Sequence, residues 1–133
     1  MVVSIFKVTL GVVVSCLLAM PGMAHSAQAE LPEVSNAIEY ASVSDAREAL
    51  KVRPGVVFSL MNGWDIAIDE AARTVWSFSP AHYPAYPAVV KRQVLQDAGK
   101  VYIKMSVHCE ASKAVCDDLV RTFADMTGLE SPR

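Results

Sequence analysis

Val56-Val57-Phe58-Ser59-Leu60-Met61, then Asn62-Gly63, then Trp64-Asp65-Ile66-Ala67-Ile68-Asp69 is the stretch that decides the fold. Asn-Gly supplies the two positive-φ residues of a type I′ turn, and a two-residue turn of this kind sets the register of the strands on either side. Met61 then faces Trp64, Ser59 faces Ile66 and Val57 faces Ile68, so one side collects most of the large apolar groups. Asp65, Ala67 and Asp69 fall on the second side with Phe58 and Leu60. Apolar groups on that side too imply a partial cover, for which the preceding helix is the candidate.

Beyond the hairpin, Glu70-Ala71-Ala72-Arg73 reads as a turn and Thr74 to Ser79 alternates as a third strand with Trp76 and Phe78 on one face. Pro80 to Pro87 carries three prolines and the rings of His82, Tyr83 and Tyr86, a composition that forbids a central strand and reads as a loop. Val89 to Gln96 and Val101 to Cys109 form a further hairpin around Asp97-Ala98-Gly99-Lys100. With Gln96 opposite Val101, one face gathers Val90, Val94, Ile103, Met105, Val107 and Cys109. Lys91, Gln93, Lys104, Ser106 and His108 take the other, which predicts burial on one side only.

Two helices flank the strands. Ser112 to Met126 places Val115, Cys116, Leu119, Val120, Phe123 and Met126 in one stripe, and Gly128 ends it. Upstream, Ser44 is the expected N-cap of a short helix over Asp45 to Lys51, stopped by Arg53-Pro54-Gly55. The expected order is α-β-β-β-β-α. The expected fold class is α+β: a four-stranded antiparallel sheet made of two hairpin-like pairs, covered by a C-terminal amphipathic helix and a short N-terminal helix. The expected division is a cleaved leader over 1–29, an arm over 30–43, one domain over 44–128 and a tail over 129–133.

The leader assignment rests on Val8 to Met20, an apolar run behind Lys7 that is followed by Pro21-Gly22 and small residues. The run is too short for the roughly 30 Å of hydrocarbon in a bilayer. Ala27-Gln28-Ala29 matches the small-x-small rule for cleavage after Ala29, which gives a mature protein beginning Glu30-Leu31-Pro32 in the periplasm, or less readily a released or lipid-anchored one. The lipid-anchored alternative makes Val14-Ser15-Cys16 a loose lipobox with Cys16 acylated. Against it, Leu17 to Met20 continue the apolar run where polar tether residues belong.

Of three cysteines in 133 residues, one lies in the leader. The remaining two, Cys109 and Cys116, are expected to pair in an oxidising compartment. Cys109 closes an inward strand position and Cys116 lies on the inward helical stripe, so the bridge would join helix to sheet.

Composition excludes more than it assigns. A chain of this length holds one domain, and a formal charge of −2 with dispersed cations gives no general attraction to nucleic acid. Six residues between the cysteines do not make a redox motif of the two-residue type. His82, His108, Cys109 and Cys116 are zinc-ligand types, yet His108 and Cys109 are strand neighbours pointing to opposite faces, so no metal is expected. No serine sits in a nucleophile-elbow context, Asp69-Glu70 and Asp117-Asp118 read as solvated charge, and neither a phosphate-binding glycine loop nor a catalytic residue is expected. The candidate binding set is His82, Tyr83, Tyr86, Lys91, Tyr102 and Lys104: rings on a proline-restricted loop beside a basic strand face. The competing expectation packs Tyr83 and Tyr86 back over the sheet edge.

Trp76-Ser77-Phe78-Ser79-Pro80, His82, Pro84-Ala85-Tyr86-Pro87 and Val89-Val90-Lys91-Arg92, followed by Cys109-Glu110-Ala111 and Cys116-Asp117, resemble a small family of uncharacterised exported proteobacterial proteins. The likeness spans about Ala41 to Met126. Members are sometimes labelled DnaJ-like, but His82-Tyr83-Pro84 between strands is not the His-Pro-Asp turn of a J-domain. The resemblance implies a Gram-negative envelope location and the disulfide, and it transfers no catalytic residue; no cofactor is expected. The resulting expectation is a non-catalytic binding or assembly module acting on an envelope protein or ligand. The alternatives are a thiol-disulfide or other envelope accessory enzyme and the Cys16 lipoprotein.

Overall fold

The computed structural model describes residues 34–35 and 37–128, so the leader, its cleavage site and Cys16 lie outside the described residues. Among the described residues eight elements follow in order: β1 (Val34–Ser35), α1 (Val43–Val52), β2 (Val56–Met61), β3 (Trp64–Asp69), β4 (Thr74–Phe78), β5 (Ala88–Asp97), β6 (Lys100–Cys109) and α2 (Lys113–Thr127). The sheet order is β1-β6-β5-β4-β3-β2.

The fold is α+β, but the expected four strands are corrected to five antiparallel ones, with β1 added in parallel beside β6. The undercounted member is β4. It does not complete a hairpin-like pair but stands in the middle of the meander, pairing β3 through Ala67↔Trp76 and β5 through Trp76↔Lys91. The prolines of the following loop turn the chain back without breaking the ladder, because the Ser79 N–H donates to the Ala88 carbonyl at 3.0 Å.

Both tight turns hold the expected registers. Met61↔Trp64, Ser59↔Ile66 and Val57↔Ile68 pair around Asn62 (φ 50°) and Gly63 (φ 83°). Gln96↔Val101 pairs around Ala98 (φ 46°) and Gly99 (φ 78°). α1 starts two residues earlier than expected, since Ser42 rather than Ser44 is the N-cap and its hydroxyl accepts the Asp45 N–H at 3.0 Å. α2 ends as expected at Gly128 (φ 70°), whose N–H reaches the Ala124 and Asp125 carbonyls.

The two helices cover opposite faces. On one face Val43, Ala46 and Leu50 of α1 pack with Ala67, Trp76, Phe78 and Val89, flanked by Ile38, Tyr40, Val56 and Phe58. On the other, Leu119, Phe123 and Ala124 of α2 pack with Ala88, Val90, Met105 and Val107, joined by Trp64 and Tyr83. The expectation that the second hairpin is buried on one side only is therefore corrected. Ser106 is buried on the expected solvent face, and Lys91 is covered there and donates to Glu39. The cover is 37–42, which the alternation rule does not register because Ile38 and Tyr40 belong to no regular element.

Cys109 at the end of β6 and Cys116 in the first turn of α2 have their sulfurs at bonding distance, 2.01 Å, and Cα atoms 5.8 Å apart. The bridge joins helix to sheet. No helix among the described residues is long and apolar enough to cross a membrane.

Candidate functional site

At one end of the sheet, the N-terminus of α1, the β2–β3 turn, the 80–87 loop and the residue after β6 converge on an open cleft of about 550 Å³. Its walls include Ser44 and Arg47 from α1, Asp65 from β3, Tyr86 from the loop, and Glu110. Each wall has a local cause. Asp65 sits on the α1-facing side of β3 because Asn62-Gly63 fixes the register, and there it meets the Arg47 guanidinium in an ion pair. The Arg47 guanidinium carbon also lies 4.7 Å from the centre of the Phe78 ring, a cation–π contact with the sheet. Glu110 follows the last residue of β6, and its backbone N–H donates to the Pro87 carbonyl at 2.9 Å. Its carboxylate accepts the Val43 N–H at 3.0 Å, satisfying an otherwise unpaired donor at the start of α1. The His108 Nε2 stands 3.4 Å from the same oxygen.

The loop divides its rings between structure and surface. The Tyr83 N–H donates to the Pro80 carbonyl and the Tyr86 N–H to the Tyr83 carbonyl, two successive turns that point the tyrosines apart. Tyr83 is half-buried, edge-on to Trp64 at 4.9 Å, and Trp64 in turn meets Phe123 of α2 at 5.4 Å. Tyr86, before the cis Tyr86–Pro87 peptide, stays 47% exposed at the cleft. His82 is exposed beside the Gly63 turn.

The remaining candidates lie elsewhere. The Lys91 ammonium is 2.9 Å from both Glu39 carboxylate oxygens and 4.9 Å from the centre of the Trp76 ring, with its side chain mostly buried. Burial alone would raise the Glu39 carboxyl, but the Lys91 hydrogen bond, a backbone hydrogen bond and the charges of Lys91 and Arg53 outweigh it and hold the group below its ordinary value. Lys104, across from Gln93, and Tyr102, across from Leu95, are exposed on the far part of the β5–β6 hairpin. Leu95 is eight residue steps along the chain from Pro87, about 26 Å of extended chain. The structure thus gathers His82 and Tyr86 at one end, places Tyr83 and Lys91 in packing roles, and leaves Tyr102 and Lys104 remote.

No family model, curated protein or solved structure matches the chain. The cleft's chemistry therefore rests on its own residues.

Arg47, Asp65 and Glu110 were missed as a group by sequence reasoning. A signal existed for the first two, since the register puts Asp65 on the side assigned to the first helix and Arg47 is a cation of that helix. Glu110 carried none, because its partner Val43 is 67 positions away. On the opposite face, Arg92 lies under α2, with its guanidinium 5.3 Å from the centre of the Phe123 ring and one amino group 3.3 Å from the Ser77 hydroxyl; burial lowers its pKa. That arginine is a packing residue, not part of the cleft.

Proposed function

We propose that this protein is a small exported, disulfide-stapled binding module of the Gram-negative envelope, without catalytic activity, which recognises its partner through the cleft at the start of α1. The observation that carries the reading is the division of the 80–87 loop: Tyr83 is anchored on Trp64 while Tyr86 is held exposed at the cleft. A rigidly based aromatic side chain beside paired charges supplies contact area at little cost in ordering, which is what recognition sites require. Arg47, Asp65 and Glu110 are tied to each other or to backbone, so they present a preset pattern of charge rather than a reactive group. Cleavage after Ala29 and residence in the periplasm complete the reading, with the apolar run ahead of that site as their support.

The test is a quantitative pull-down from an envelope extract with wild-type protein, Tyr86→Ala and Lys104→Ala. The cleft reading expects a partner retained by the wild type and Lys104→Ala and lost by Tyr86→Ala. A full set of partners still held by Tyr86→Ala overturns it. Intact mass of the exported protein reads the amino terminus, either Glu30 or an acylated Cys16.

A further inference from the structure

The two edges of the sheet are managed differently. β6 carries β1 along part of its outer side, through Val34↔Met105 and Ser35↔Ser106. β2 has a strand partner on one side only, across all six of its residues. Because Met61 and Trp64 flank a two-residue turn, they form a mutually hydrogen-bonded pair, and the bonding alternates from there. Ser59 and Val57 therefore also bond inward to β3, whereas the N–H and C=O groups of Phe58 and Leu60 and the carbonyl of Val56 point outward. The Val56 N–H is directed at the Arg53 carbonyl at 3.3 Å. No backbone partner meets that outer row among the described residues.

β2 also lacks the usual protections of an edge. Its sequence, VVFSLM, holds no charge, no proline and no bulge, and Val57, Leu60 and Met61 are 64%, 73% and 61% exposed. An uncharged row of outward donors and acceptors is complementary to another strand of the same kind.

We propose that β2 is a self-association edge, pairing antiparallel with β2 of a second copy about a two-fold axis through Phe58. Only the outward-bonding residues can form mutually bonded pairs, so the register follows. Phe58 exchanges both hydrogen bonds with Phe58 of the second copy, and each Leu60 N–H donates to the Val56 carbonyl of the other. On the α1 side, Leu60 then meets the apolar Val56 of the second copy, and the two Phe58 rings extend the stack that Phe58 already makes on Phe78 at 6.3 Å. On the α2 side, Val57 meets Ser59. No like charges are brought together at any position, and the contact closes on itself as an isologous dimer with no edge left at β2. This inference is independent of the cleft, since Tyr86 and Glu110 take no part in the pairing.

The experiment is sedimentation of the purified protein over a concentration series, with Leu60→Lys as the disrupting variant, combined with a register test. Val57→Cys and Ser59→Cys proteins are oxidised singly and mixed, and the cross-links are located by peptide mapping. The proposal expects a concentration-dependent dimer, a dissociation constant raised about tenfold or more by Leu60→Lys with unchanged circular dichroism, and a 57-to-59 cross-link that forms faster in the mixture than either single-variant cross-link. Should Leu60→Lys fail to fold, the mixed cross-link decides alone. A monomer at every concentration, a dimer with no preference for the 57-to-59 link, or binding of extended apolar peptides at β2 without self-association overturns it.

Discussion

The Glu110 carboxylate accepts the Val43 N–H at 3.0 Å, so the residue after β6 holds the first turn of the helix on the α1-covered face. Its neighbour Cys109 holds the helix on the opposite face through Cys116. Two consecutive positions thus anchor both helical layers at the same end of the sheet, beside the cleft.

Loss of the first anchor is expected to behave as loss of a helix cap. Glu110→Ala should destabilise by about 0.5–2 kcal/mol, read from urea unfolding, and Glu110→Gln, which keeps an acceptor oxygen, should cost less. Equal losses for both variants would assign the effect to charge rather than to the hydrogen bond.

Loss of the second anchor acts through the unfolded chain. The bridge spans seven positions, and closing so short a loop contributes roughly 2–3 kcal/mol in the chain-entropy model. Cys109→Ser with Cys116→Ser should lower stability by that amount. Adding reductant should lower the wild-type midpoint and leave the double variant's unchanged.

Glu39 provides a pH signature. Its folded pKa lies below the ordinary 4.5, so its contribution is fully present above that value and is lost as pH falls through the folded pKa. The stability difference between wild type and Glu39→Gln should be largest near neutrality and vanish in acid. Urea midpoints at a series of pH values measure it, and a difference that grows towards low pH would contradict the sign.

Ala98 occupies a left-handed conformation, φ 46°, at the first turn position between β5 and β6. A side chain with a Cβ pays about 1 kcal/mol or more there. Ala98→Asn, which restores the residue type used at Asn62, should raise the thermal midpoint without moving the Gln96↔Val101 register. Ala98→Gly should gain less, because it also frees the unfolded chain.

Much of the fold could be read in the residues because its determinants are local. Asn62-Gly63 sets the β2–β3 pairing, alternation sets the β5–β6 pairing, and Gly128 ends α2, each within a few positions. What escaped reading is distant or irregular. The place of β4 as a central strand depends on pairings with two neighbours at once, and the cover formed by 37–42 depends on Tyr40 meeting Trp76 at 5.6 Å and bonding Arg53 at 2.6 Å. At the site, the loop's rings were legible as a group, but not which ring turns inward. That choice is made by Trp64, a residue assigned to the hairpin and not to the loop.

The strand order carries one more consequence, for the sequence of events in folding. Every antiparallel pair joins strands that are consecutive along the chain, so the meander can grow outward from either tight turn with little loop closure. The Val43–Glu110 contact cannot form that way, since it closes 67 positions of chain. It belongs late in assembly, and Glu110→Ala should speed unfolding while leaving the folding limb of the chevron almost unmoved. The same contact that frames the cleft is then among the first to open when the native protein begins to come apart.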